Sequence, residues 1–61
     1  MLPMNTPVRI VNTSSELDGY ICYVKGIAQK HHDNIIYILD LQLEVNGYTH
    51  LTLTDSCIEV L

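Results

Sequence analysis

Residues 35–54, Ile-Ile-Tyr-Ile-Leu-Asp-Leu-Gln-Leu-Glu-Val-Asn-Gly-Tyr-Thr-His-Leu-Thr-Leu-Thr, carry two runs of alternating apolar and polar side chains on either side of Asn46-Gly47. A type I′ turn needs φ > 0 at both central residues, and Asn-Gly between alternating runs is its strongest sequence signal. The stretch therefore reads as a long antiparallel ribbon. Ile35, Tyr37, Leu39, Leu41, Leu43 and Val45 fall on one face, which is assigned to the core. Ile36, Ile38, Asp40, Gln42 and Glu44 fall on the other, apolar at its start and polar afterwards. Beyond the turn, Leu51 and Leu53 point inward while His50, Thr52 and Thr54 point outward.

Working outward, Pro3 and Pro7 bracket an extended lead-in, because the residue before a proline is pushed toward β geometry. Val8-Arg9-Ile10-Val11 is a short strand, and residues 12–19 form a loop rich in turn formers with no apolar run. Residues 20–27 have strand composition again, with two competing inward sets, Tyr20/Cys22/Val24 and Ile21/Tyr23/Ile27. Gly26 within that run predicts a bulge or bend where one set hands over to the other. Residues 29–34, Gln-Lys-His-His-Asp-Asn, are polar and end in Asp-Asn, which reads as a second turn or loop. Thr54-Asp55-Ser56 predicts a tight turn of 3₁₀ type, and residues 57–61 a closing strand. No stretch holds the i, i+3, i+4, i+7 spacing of a helix. Five strands in 61 residues predict an all-β single domain over 1–61, a small barrel or strongly bent sheet.

In the order of its parts the chain resembles SH3-like small β-barrels. The Val-Arg-Ile-Val strand, the polar loop ending in Asp18-Gly19, the bent glycine-containing strand, the hairpin pair and the Thr-Asp-Ser-Cys turn before Ile-Glu-Val-Leu follow that order. KOW-type domains and a peripheral photosystem I protein of the same barrel type share it. The resemblance implies a five-stranded barrel with a short 3₁₀ turn before the last strand, and it implies no particular function. The basic residues that KOW domains place on RNA are missing here, as is the basic surface of the photosystem protein. The tyrosines Tyr20, Tyr23, Tyr37 and Tyr48 do not follow the aromatic arrangement with which SH3 domains grip proline-rich peptides. Compact and without targeting signals, the chain is also similar in style to small accessory proteins of tailed bacteriophages.

Charge narrows the partners. Arg9, Lys25 and Lys30 stand against seven acidic residues, a net charge of −4. Nucleic-acid binding rests on clustered cations that neutralise phosphates, so neither a nucleic acid nor a membrane surface is the expected partner. The N-terminal stretch has neither the basic nor the apolar region of a secretory signal, and no apolar run reaches the length of a spanning helix. Cys22 and Cys57 lack CxxC spacing and are expected as free thiols in a cytoplasmic protein.

Chemistry-bearing clusters are few. His31-His32-Asp33 is the one run of metal-ligand side chains, with His50 as a distant fourth candidate; it defines an alternative, a metal- or nucleotide-responsive loop. The competing reading is a solvated hairpin loop. Cys57, His50 and Asp55 are the residue types of a thiol catalyst, yet Asp55 and Glu59 flank the sulfur and oppose the thiolate. Gly19, Gly26 and Gly47 stand apart and form no phosphate loop. No catalytic activity and no cofactor are expected.

What remains is contact with another protein. A domain of this size buries only about 60% of its unfolded surface, so association with a partner would add stability. With neither Phe nor Trp, the core is thin. The expected function is a non-catalytic interaction module that binds a protein partner or a second copy of itself. Tyr20, Ile36, Ile38 and Tyr48 are its predicted contact residues. Tyrosine offers large contact area at low entropic cost, and its competing role is to cap the ends of the core.

Overall fold

Asn46 and Gly47 sit at φ of 52° and 85°, the two left-handed residues of a type I′ turn, and Val45 pairs directly with Tyr48 across them. A computed structural model describes all of residues 1–61. The strands are β1 (Pro7–Ile10), β2 (Ile21–His31), β3 (Asn34–Val45), β4 (Tyr48–Thr54) and β5 (Ile58–Val60), with a 3₁₀ turn over Asp55–Cys57 before β5. They form one antiparallel sheet in the order β4-β3-β2-β1-β5. The all-β class, the five strands and the 3₁₀ turn agree with the reading of the sequence.

Closure of a barrel is not among the features found. The ladder is open, with β4 and β5 as its two edges. The sheet is nevertheless coiled: the molecule measures 31 × 22 × 21 Å, and a flat sheet with its side chains would be only about 10 Å thick. The bend comes from irregularities in β2, whose register with β3 shifts between Val24 and Gly26 and again between Ile27 and Gln29. The bulge expected at Gly26 is thus present.

Coiling places seven side chains in one core: Val8, Ile10, Cys22, Val24, Tyr37, Leu39 and Leu41. Cys22 and Val24 are the inward residues of β2, while Ile21 lies on the outside. Tyr37 is buried as a ring, and its hydroxyl accepts the Leu2 backbone N–H at 3.0 Å, which fastens the N-terminal segment over the core. That segment also continues β1 alongside β2, through Asn5 N–H to Val24 O at 2.6 Å and Val24 N–H to Thr6 O at 3.0 Å.

Two local expectations are corrected. The turn or loop expected over 29–34 narrows to a two-residue turn, His32-Asp33, with His32 at φ 43°, because Lys30 pairs with Ile35 and His31 with Asn34. The strand is hidden in the sequence because β2 projects into solvent from Ile27 onward, so its side chains carry no inward pattern. Leu43, assigned to the core by alternation, is 54% exposed. The register of β3 and β4 breaks between the pairs Asp40–His50 and Val45–Tyr48, and Gln42 takes φ 63°. A left-handed residue inside a strand turns the next side chains off their face, which takes Leu43 out of the inward row, while Val45 beyond the break again packs against the core.

Candidate functional site

The break in the β3–β4 ladder opens a cleft. Between the two flanking pairs β3 contributes residues 41–44 and β4 only Thr49, so the strands separate. The gap has a volume of about 420 Å³. Leu17, Leu41, Val45, Tyr48 and Leu51 wall it with hydrocarbon, and His50 stands among its polar neighbours. Tyr48 is 68% exposed, so its ring is available at the edge of the cleft.

One wall belongs to the loop between β1 and β2, and hydrogen bonds hold it there. The Asp18 carboxylate accepts the Thr13 N–H at 3.0 Å, the Ser14 N–H at 3.2 Å and the Thr13 hydroxyl. Asp18 is held below its ordinary value of 3.8, chiefly by the Thr13 hydroxyl, against an opposing effect of desolvation, with the Thr13 and Ser14 N–H groups adding smaller depressions. Gly19 N–H returns to Ile10 O at 2.7 Å, closing the loop onto β1. Leu17 is thereby turned onto the core, and the Asn46 side-chain N–H donates to Glu16 Oε1 at 2.9 Å, tying the loop to the hairpin tip. The part played by Leu17 has no sequence signal, because a single leucine in a polar loop gives no periodic pattern.

The four predicted contact residues do not form one patch. Tyr48 borders the cleft. Tyr20 is 37% exposed and sits at the base of the β1–β2 loop, bonded through its backbone to Leu17 and Ile10. Ile36 and Ile38 are neighbours on β3, both half-buried, opposite Thr54 and Thr52 of β4. Thr52 and Thr54 lie four and six residues beyond Tyr48, about 14 and 20 Å along the strand.

His31, His32 and Asp33 all lie exposed at the tip of the β2–β3 hairpin. His50 pairs with Asp40, six positions along β3 from Asn34, and its Nδ1 meets the Thr49 hydroxyl at 3.0 Å. Nowhere does the fold gather three His, Cys, Asp or Glu side chains in a metal-binding group. Cys57 does not meet His50 either; its sulfur lies 3.9 Å from the Thr54 hydroxyl and 4.0 Å from Asn12 O. Of the three cations, Arg9 is paired with Glu59 at 2.9 Å, and Lys25 lies 3.0 Å from Asn5 Oδ1 and 3.9 Å from Asp40. No helix is long and apolar enough to cross a membrane.

The cleft walls thus offer apolar surface, one imidazole and an exposed phenol ring. Such a set can receive an aliphatic or aromatic side chain and orient it with a hydrogen bond. Comparison with protein-family models, curated proteins and solved structures finds no match to this chain.

Proposed function

We propose that this chain is a non-catalytic interaction module of SH3-like topology, and that it works by seating an apolar side chain of a protein partner in the cleft beside Tyr48. The observation that carries the reading is the cleft itself: a 61-residue chain leaves a hollow of about 420 Å³ beside its thin core and sets a tyrosine ring at the rim. Contact surfaces of this kind gain most of their energy from a few aromatic and aliphatic anchors in desolvated pockets. The strand order and the 3₁₀ turn before β5 support the SH3-like topology. Ile36, Ile38 and Tyr20 then serve as secondary contacts or as cover for the core.

The test is a pair of surface variants. Tyr48→Ala removes the ring from the rim, and Lys30→Ala removes an exposed side chain far from the cleft. Affinity for the partner recovered from the source cell is expected to fall at least about tenfold for the first and to stay unchanged for the second. Equal binding by both would reject the cleft as the contact.

A further inference from the structure

The edge strand β4 departs from what an edge strand needs in order to stay single. Its outer side makes no backbone hydrogen bond: none of the nine backbone bonds outside the ladders involves residues 48–54. Proteins guard such edges with lysine, proline, bulges or shortness. β4, Tyr-Thr-His-Leu-Thr-Leu-Thr, has no proline, and it is the single strand of the five without an Asp, Glu, Lys or Arg. The opposite edge is guarded, since β5 is three residues long and carries Glu59 in an ion pair with Arg9.

We propose that β4 pairs antiparallel with β4 of a second copy, making a two-fold dimer with one continuous ten-stranded sheet. This rests on the reading of the chain as a contact module and names one partner for it. A two-fold axis at Leu51 brings all seven residues into register, with Leu51 opposite itself, His50 opposite Thr52, Thr49 opposite Leu53 and Tyr48 opposite Thr54. No like charges face each other in that register, and threonine and leucine pairs are of the kind that stabilise neighbouring strands. Charge selects this route. Two copies each carry −4 and repel in general, but β4 is the strand along which they meet without an Asp, Glu, Lys or Arg. The pairing is isologous, so it closes at two chains rather than growing. It also gives a chain with only seven buried residues a further apolar contact through Leu51, Leu53 and Tyr48.

Charge swapping at His50 and Thr52, both exposed, tests the register directly. One full-length variant carries His50→Lys and Thr52→Lys, the other His50→Glu and Thr52→Glu. Sedimentation equilibrium at about 100 µM is expected to give twice the 6.9 kDa chain mass for the unmodified protein. Each variant alone places like charges opposite one another, and its dissociation constant is expected to rise about tenfold or more. An equimolar mixture restores opposite charges and is expected to recover the dimer, with circular dichroism showing that both variants keep the sheet. A monomeric unmodified protein overturns the proposal, as does a dimer that persists in both variants. His50 and Thr52 also line the cleft, so the Tyr48 reading keeps its own test, the affinity of Tyr48→Ala for a different protein with β4 otherwise unchanged.

Discussion

Asp40 Oδ1 accepts the backbone N–H of Gln42 at 2.8 Å, inside what would otherwise be an unbroken strand. A carboxylate bonded to the N–H two residues on is the Asx-type turn that aspartate and asparagine form in loops. Here it bends β3: Gln42 takes φ 63°, Leu43 swings into solvent and β3 parts from β4. The cleft is the consequence. One short hydrogen bond thus links the sequence of β3 to the surface proposed to do the work.

The first expectation concerns that bond. Asp40→Ala leaves the Gln42 N–H without its acceptor and is expected to cost about 1 kcal/mol, whereas Asp40→Asn keeps an acceptor oxygen and is expected to cost less. Urea midpoints of the two variants measure the difference. Equal losses would mean that the carboxylate acts through Lys25, 3.9 Å away, and not through the turn.

Two glycines separate backbone strain from packing. A Cβ added at Gly47 or at Gly26 would meet nothing within 4 Å, but Gly47 lies at φ 85° and Gly26 is outside the left-handed region. Gly47→Ala is expected to cost about 1–2 kcal/mol through left-handed strain alone. Gly26→Ala is expected to be neutral or to gain up to about 1 kcal/mol by restricting the unfolded chain. Thermal unfolding of both variants decides, and equal effects would remove the conformational argument.

The contrast between these positions marks what the sequence could and could not reveal. Asn46-Gly47 is legible because the turn chemistry is local, and Gly26 because a glycine amid apolar residues has few other reasons to be there. The Gln42 bulge is not, since the alternation from Leu39 to Val45 is regular and nothing in it signals the bond that Asp40 accepts from the Gln42 N–H. The same regularity assigns Leu43 to the core, where it is 54% exposed. The β2–β3 hairpin tip is lost for the opposite reason: β2 runs into water from Ile27 to His31, and a solvated strand has no pattern. Tyr48 is legible as a surface ring beside a turn, whereas its neighbour Leu17 comes from a segment distant in sequence.

Acid is expected to weaken the loop that carries Leu17. The Asp18 carboxyl lies below its ordinary value of 3.8, mainly through the Thr13 hydroxyl. A carboxyl depressed in the folded state stabilises the fold above the unfolded value and loses that contribution as pH falls through the folded one. Stability should therefore decline as pH drops below about 4, and Asp18→Asn should flatten that decline. Unfolding followed by tyrosine fluorescence between pH 2 and pH 6, roughly the carboxylate range, measures it. Identical acid limbs in both proteins would contradict the role given to Asp18.

The two thiols should behave differently. Cys22 is fully buried, and burial, followed by the nearby Asp40 carboxylate, pushes its thiol above the ordinary 9.0. Cys57 is half-buried beside the 3₁₀ turn. A thiol reagent at about pH 8 is expected to label Cys57 in the folded protein and Cys22 only at the rate of opening. A raised thiol value in the folded state also means that stability falls as pH climbs through the unfolded and then the folded value, the reverse of the Asp18 case. Equal labelling of both cysteines in native buffer would contradict the burial of Cys22.

The central claim is that the chain acts by contact and that its working surface is β4 together with the cleft beside Tyr48. Photo-crosslinking from single reactive residues placed in turn at positions 20, 30, 36, 38, 48 and 52 of the full chain, in its source cell, tests this most directly. Protein adducts are expected to be strongest from positions 48 and 52. Adducts strongest from 20, 36 or 38, or no difference between any of these and position 30, would contradict it.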